Sequence, residues 1–254
     1  MKIGEGTVVF VTGGASGLGE AAVLDLHAKG ASVAVADMNI AAMQALHAKL
    51  QERIFCISCD VTKETDVKRA IEQTVTKFGK IDVALASAGV IKRAPILSSQ
   101  GPLNTKIFET LIAINLMGSV YMAKYAAVAM SKNETVNGEK GLILFVSSLA
   151  AEYAERGQMS YGASKGAING MLLPMARDLG KYGIRVAAIA PGIFKTPMSH
   201  GFPQALNDHY AAMSPMGRAG TCAEFAHMVA FCIENSYVNG VRLRIDGATI
   251  LAHK

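Results

Sequence analysis

Seven short apolar runs constrain the fold of this chain more than any other feature. They cover residues 7–12, 32–37, 53–60, 81–86, 141–147, 184–190 and 241–245. Most are continuous rather than alternating, the pattern of strands buried on both faces. Between them lie longer stretches near 17–29, 39–51, 64–78, 106–131, 159–181 and 222–234, whose patterning predicts helices. Strand–helix alternation specifies a parallel sheet with helices on both faces. The expected fold class is therefore α/β: a single-domain, doubly wound parallel seven-stranded sheet occupying residues 1–254. No internal repeat, low-complexity tract or linker interrupts the rhythm. Two stretches depart from it. Residues 92–105 are rich in Pro, Ser and Gly, and 195–220 carry Pro197, Pro203 and Pro215 with Met198, Met213 and Met216. Long irregular segments of this kind act as binding loops or as ordered surface excursions, and both readings stand.

Composition narrows the function classes. Hydrophobic residues make up 51% of the 254 positions and charged residues 18%, enough for a substantial core. The net charge of +5 is scattered, with no basic block, so direct nucleic-acid binding is not expected. No apolar run reaches the roughly 18 residues of a membrane span. Four cysteines do not make a disulfide framework. Cys56 and Cys59 are three apart on an expected strand and face opposite sides, and Cys222 and Cys232 are ten apart. Buried thiols and no metal site are expected. Asn133-Glu134-Thr135 has the form of a glycosylation acceptor, but no secretory signal accompanies it. The first strand starts near Thr7, which leaves no room for a cleavable targeting peptide and gives an intracellular expectation.

In open parallel sheets ligands sit outside the carboxyl ends of the strands, so the residues just after each run matter. The first run leads into Thr12-Gly13-Gly14-Ala15-Ser16-Gly17-Leu18-Gly19. Glycines there admit a tight turn and let a pyrophosphate approach the N-terminus of the next helix; close helix packing is the plainer alternative. The second run ends in Asp37, placed to accept both hydroxyls of an adenosine ribose and to repel a 2′-phosphate, which favours NAD over NADP. Capping the following helix is its alternative role. Asp60-Val61 ends the third run, with Asp60 a candidate partner for an adenine amino group or a helix cap. Ser87-Ala88-Gly89 ends the fourth, Ser147-Ser148 the fifth and Pro191-Gly192 the sixth. This convergence of small and polar residues on one edge predicts a dinucleotide site.

Tyr161 and Lys165 are four apart in a helical stretch and project from one face. A fixed cation near a phenol favours the phenolate and brings proton transfer within reach of neutral pH. Together with Asn115 and Ser148, which precedes Tyr161 by 13 residues, these motifs resemble the short-chain dehydrogenase/reductase family along essentially the whole chain. Within it, residues 11–19, 114–118, 161–166, 176–179, 189–192, 239–240 and 246–248, and the polar insert at 132–140, are similar to the type 2 3-hydroxyacyl-CoA dehydrogenases, also called type 10 17β-hydroxysteroid dehydrogenases. The family often has Asn-Asn-Ala-Gly where this chain has Ala86-Ser87-Ala88-Gly89.

The resemblance implies a Rossmann fold and an NAD-dependent exchange of a secondary alcohol and a ketone. Tyr161 is implied to exchange the proton, Lys165 to lower its pKa and bind the nicotinamide ribose, and Ser148 to hold the substrate oxygen. Asn115 is implied to hold a relay water. The implied cofactor-binding residues are Gly13, Ser16, Gly17, Leu18, Gly19, Asp37, Asp60, Val61, Ser87, Ala88, Gly89, Tyr161, Lys165, Pro191, Gly192, Phe194 and Thr196. Ser147 replaces Ser148 if the register is off by one, and Asn115 has the alternative of a helix-interior residue bonding backbone. Also implied are acyl-CoA or steroid substrates met by the loops at 92–105 and 195–220, a homotetramer, and the mitochondrial matrix or cytoplasm. A 3-oxoacyl-[acyl-carrier-protein] reductase, another short-chain alcohol dehydrogenase, and a structural subunit of a tRNA-processing complex remain as alternatives.

Overall fold

A computed structural model describes residues 1–196, 208 and 211–249. Seven strands form one parallel sheet: β1 (Val8–Thr12), β2 (Ser32–Asp37), β3 (Ile54–Ser58), β4 (Val83–Ala86), β7 (Gly141–Val146), β8 (Ile184–Pro191) and β9 (Val241–Ile245). Their order is β3-β2-β1-β4-β7-β8-β9. All seven apolar runs became strands, most with ends trimmed by up to two residues and the sixth extended by one to Pro191. An antiparallel pair, β5 (Leu97–Ser98) and β6 (Gly101–Pro102), lies inside the Pro/Ser/Gly-rich loop.

The helices are α1 (Gly17–Ala28), α2 (Ile40–Leu50), α3 (Glu64–Phe78), α4 (Thr105–Leu111), α5 (Gly118–Met130), α6 (Ala150–Tyr153), α7 (Met159–Gly180) and α8 (Cys222–Glu234). Side-chain alternation along the strands separates two cores. Val9 and Val11 pack with Val23, Leu26 and Phe225 on one face, beside α1 and α8. Phe10 packs with Ile71, Met122 and Ile168 on the other, beside α3, α5 and α7. Cys56 joins the first cluster and Cys59 the second, as their spacing on a strand requires. Both are free thiols, and no group of metal-ligating side chains forms among the described residues.

The single helix expected over 106–131 differs in detail. Ile112–Met117 is a π-turn between α4 and α5, and it carries Asn115. The combined stretch Thr105–Met130 is long and apolar enough to cross a membrane by length and composition, with mean hydropathy 1.4. Here its inner face lies on the sheet instead, with Met122, Ala123, Ala126 and Met130 buried. Of the loop expected at 195–220, residues 197–207, 209 and 210, with Pro197, Met198 and Pro203, lie outside the described residues.

The chain builds β1, β2 and β3 outward, then returns to place β4 on the other side of β1. That reversal opens a crevice beyond the strand ends between β1 and β4. Gly13 follows β1 and Ala88 follows β4. A Cβ built on Gly13 would stand 2.6 Å from Ala88 Cα, so the two segments touch at backbone distance.

Candidate active site

A cavity of about 660 Å³ runs along the carboxyl edge of the sheet. Its wall contains every cofactor-binding residue expected from the sequence, from Gly13 and Ser16 to Phe194 and Thr196, and also Ser148, Tyr161 and Lys165. Asn115 is the expected residue that does not reach it.

At one end, the turn from β1 to α1 fits a dinucleotide phosphate by what it lacks. Gly13 (φ 65°) and Gly17 (φ 58°) adopt backbone that favours glycine. A Cβ on Gly19 would stand 2.2 Å from the Gly13 carbonyl oxygen. Ser16 occupies the N-cap of α1 with no side-chain bond to the helix, so no side chain of its own shields the first-turn amides from an anion. Asp37 Oδ2 accepts from Ala15 N at 3.1 Å and Oδ1 from Asn39 N at 2.9 Å. The carboxylate thus braces the glycine turn and the start of α2, and the residue lines the cavity. The N-cap of α2 is Asn39, so capping is not the work of Asp37. Asp60 accepts from the Thr62 amide and hydroxyl at 3.0 and 2.7 Å, and these bonds hold its carboxyl below the usual range. The N-cap of α3 is Lys63. Val61 lies against Gly118, where an added Cβ would come within 2.9 Å of Val61 Cβ.

At the other end, α7 carries Tyr161 and Lys165 on one face, and β7 delivers the two serines. Ser148 stands beside Tyr161, where its hydroxyl favours the phenolate, and it accepts from Ala150 N at 3.1 Å. Ser147 instead donates to Asn169 Oδ1 at 2.7 Å, pinning α7 to the sheet. Geometry therefore puts Ser148 beside the phenol. Lys165 is buried and its Nζ donates to Val146 O at 2.7 Å. Asn115 is fully buried and linked in both directions to Val90, its Oδ1 accepting at 2.9 Å and its Nδ2 donating at 3.0 Å. The same Nδ2 reaches Ser164 Oγ at 3.1 Å. Gly89 fills the gap between them: a Cβ there would stand 3.3 Å from Asn115 Oδ1 and 3.5 Å from Lys165 Nζ. The π-turn is what swings Asn115 to this junction. Its side chain bonds the Val90 backbone and the Ser164 hydroxyl.

Burial raises the Tyr161 pKa, and the Ser148 hydroxyl opposes that rise. Lys165 stands 5.9 Å from the ring centroid and spends a proton on the Val146 carbonyl. Desolvation pushes its own pKa down to about 8. Tyr161 is partly exposed at the cavity wall, yet its setting still penalises the phenolate.

Phe194 reaches the cavity but packs its ring edge-to-face on Phe225, 6.3 Å between centroids. Pro191-Gly192 closes the floor, where a Cβ on Gly192 would meet Asp246 Cβ at 2.6 Å. Sequence reasoning missed Gln158 and Glu155, both on the wall with Arg93. Arg93 and Glu155 form an ion pair, and Ala94 N donates to Gly157 O at 2.8 Å, which ties the loop after β4 to the turn before α7. Gln158 was visible three residues before Tyr161, at what becomes the N-cap of α7; nothing signalled the Arg93–Glu155 contact, which joins positions 62 apart.

Comparison with known proteins agrees with this geometry. A family model described as enoyl-(acyl carrier protein) reductase matches residues 13–248. The human 3-hydroxyacyl-CoA dehydrogenase type-2 is 39% identical over 248 residues, spanning 96% of this chain and 95% of that one. The crystal structure of a 3-hydroxyacyl-CoA dehydrogenase type-2 from Mycobacterium avium superposes with a TM-score of 0.93 at 36% identity, covering all of both chains. A 3-ketoacyl-(acyl-carrier-protein) reductase from Brucella melitensis, solved with NADH, gives 0.85 at 26% identity over 96% of this chain and 98% of that one. A glycine cradle at the sheet's reversal point, a serine–tyrosine pair backed by a buried lysine, and relatives that match from end to end lead to one conclusion: the chain belongs to the short-chain dehydrogenase/reductase family of oxidoreductases and takes a nicotinamide cofactor.

Proposed function

We propose that this chain, acting as one domain, interconverts 3-hydroxyacyl-CoA and 3-oxoacyl-CoA with NAD as cofactor. The observation that carries the chemistry is the convergence of Ser148 and Tyr161 on the cavity wall, with Lys165 buried behind them. The bound nicotinamide supplies or accepts the hydride. Gly13, Gly17 and Gly19 admit its pyrophosphate, Asp37 its adenosine ribose, and Asp60 and Val61 border the adenine. Ser87, Ala88 and Gly89 let it lie along the β4 end, and Pro191, Gly192 and Thr196 flank the nicotinamide. Asp37 favours NAD because a 2′-phosphate would meet a carboxylate.

In the reducing direction, Ser148 donates to the ketone oxygen and Tyr161 delivers a proton to it as negative charge develops. Burial keeps the phenol neutral, which is the form a proton donor needs. Lys165, with a pKa near 8, is mostly charged at pH 7 and adds a positive field behind the phenol. Asn115 holds the loop at Val90 against α7 through Ser164 and so fixes the distance between them.

The acyl-CoA assignment rests on the named relatives. The test is steady-state kinetics with NADH against acetoacetyl-CoA, longer 3-oxoacyl-CoAs, an acyl-carrier-protein thioester and steroid ketones. Preference for the CoA thioesters supports the reading, and preference for the carrier-protein thioester moves the chain to the reductase alternative. A homotetramer is part of the proposal, supported by exposed Met159 and Leu173 on α7 and Val128 on α5. The intracellular setting, matrix or cytoplasm, rests on the sequence resemblance alone.

A further inference from the structure

Two hydrogen bonds tie adjacent residues at the end of β7 to residues one turn apart on α7. Lys165 Nζ donates to Val146 O at 2.7 Å. Ser147 Oγ donates to Asn169 Oδ1 at 2.7 Å and lies 3.4 Å from the Lys165 carbonyl oxygen. Ser147 is buried, and its backbone N–H donates to Ile189 O of β8 at 2.8 Å. Its main chain is therefore fixed to the sheet while its hydroxyl holds the helix. Asn169 is four residues after Lys165 and eight after Tyr161, so the three share one face of α7. The residue that follows Ser147 is Ser148, which stands beside the Tyr161 phenol.

The two contacts differ in what they can hold. Lys165 reaches Val146 on a flexible four-carbon stem, which can follow a helix that slides. The side chains of Ser147 and Asn169 are short, and a hydrogen bond is directional, so their contact fixes the height of α7 over β7. Ile168, Leu172 and Ala176 pack in one cluster with Phe145 and Val186 of the sheet, but apolar attraction has no preferred direction. Ser164 is tied to Asn115, which belongs to the π-turn and not to β7. Ser148 comes from β7 and Tyr161 from α7, so the geometry between them depends on the register of these two elements.

We propose that Ser147 and Asn169 are positioning residues, whose hydrogen bond sets the register of α7 on the end of β7 and so aligns Tyr161 with Ser148 across the substrate oxygen. The inference rests on the proton-transfer roles proposed above for Tyr161 and Ser148, and not on the acyl-CoA assignment. Ser147 borders the cavity with its hydroxyl committed to Asn169, and Asn169 is no part of the cavity wall. The pair therefore acts through Tyr161 and Ser148. Its effect falls on the rate of the chemical step more than on cofactor affinity, because the glycine turn and Asp37 belong to the ends of β1 and β2.

The test is a single turnover of NADH with the ketone that the native chain reduces fastest in the panel above, so that NADH consumption reports hydride transfer. The native chain is compared with Ser147→Ala, Asn169→Leu and the double variant. Leu172→Val, in the apolar core under the same helix, is the control for general loosening. A misplacement of about 1 Å can cost about a hundredfold in rate. Each single variant should slow the step by about ten- to a hundredfold while the NADH dissociation constant stays within about threefold. The double variant should be no slower than the slower single variant, because the two side chains form one contact. Leu172→Val should melt earlier and keep its rate within about twofold. Native rates in either single variant, a double variant as slow as the product of the two single losses, or an equal loss of rate in Leu172→Val overturns the inference. A native chain that reduces no ketone of the panel, or whose rate is indifferent to Tyr161→Phe, overturns the functional reading and this inference with it.

Discussion

The close approach of Gly13 to Ala88 makes a quantitative prediction, because the chain contains its own control. Gly13 and Gly217 share φ 65°, a region where an alanine is strained by about 1 kcal/mol. They differ in what a new methyl group would meet. At Gly217 nothing lies within 4 Å. At Gly13 the methyl would stand 2.6 Å from Ala88 Cα and 2.7 Å from Ala88 N, and backbone cannot swing aside as a flexible side chain does. Overpacking of this kind adds about 1–3 kcal/mol. Gly217→Ala should therefore cost about 1 kcal/mol and Gly13→Ala about 2–4 kcal/mol. For a chain of this size each kcal/mol moves the melting temperature by about 2–4 °C. Thermal unfolding should fall by a few degrees for Gly217→Ala and by about 5–15 °C for Gly13→Ala. NADH titration should show weakened binding only for Gly13→Ala, since the displaced turn is the phosphate cradle proposed above. Equal melting shifts for the two variants would refute the argument that backbone contact at the β1/β4 reversal, rather than glycine's dihedral freedom, fixes this position.

Tyr161→Phe should lower turnover by about a hundred- to ten-thousand-fold while NADH still binds, as read by fluorescence titration and steady-state rates; near-native turnover would remove Tyr161 from proton transfer. Asp37→Ala should erode the preference for NADH over NADPH by about ten- to a hundredfold in kcat/KM, the worth of a hydrogen bond to a charged group; an unchanged ratio would contradict its role. Lys165→Met should abolish activity yet stabilise the cofactor-free protein at pH 7. The folded-state pKa of Lys165 lies near 8, below the unfolded value of 10.5, so the unfolded chain binds more protons between those limits and stability rises with pH across that window. The buried charge costs up to about 3 kcal/mol at neutral pH. Urea unfolding at pH 7 and 9.5 should show a steeper rise for the native chain than for Lys165→Met, and the same rise in both would show that the lysine is not the source. Subtracting the variant also cancels Cys59 and Cys232, whose raised pKa values act in the opposite direction.

Strand ends were legible because chemistry and geometry coincide there. A parallel sheet buried on both faces leaves its carboxyl edge as the place for small and polar residues, so Gly13, Asp37, Asp60, Ser87 and Gly192 could be read off before any coordinates. The spacing of Tyr161 and Lys165 carried equal information, since a helix turns four residues into one face. The choice between Ser147 and Ser148 was not legible. Adjacent residues at a strand end point opposite ways, and only the pairing of Ser147 with Asn169 shows which one is spent on packing.

Burial explains the rest. Sequence spacing put a cation beside a phenol and implied that the phenol would become acidic. It carried no measure of desolvation, which raises Tyr161 and pulls Lys165 down to about 8. Asn115 shows the same gap in another form. An apolar helical pattern from 106 to 131 gives no sign that Ile112–Met117 widens into a π-turn, yet that widening carries the amide to Val90 and Ser164. A fully buried Asn inside a helix needs tertiary partners, and it finds them on the loop after β4 and on α7. Arg93 and Glu155 tie that loop to the turn before α7 at a second point. The spacing between the loop after β4 and α7, which carries Tyr161, is therefore set by contacts 25, 49 and 62 residues apart in sequence, a range that local pattern cannot reach.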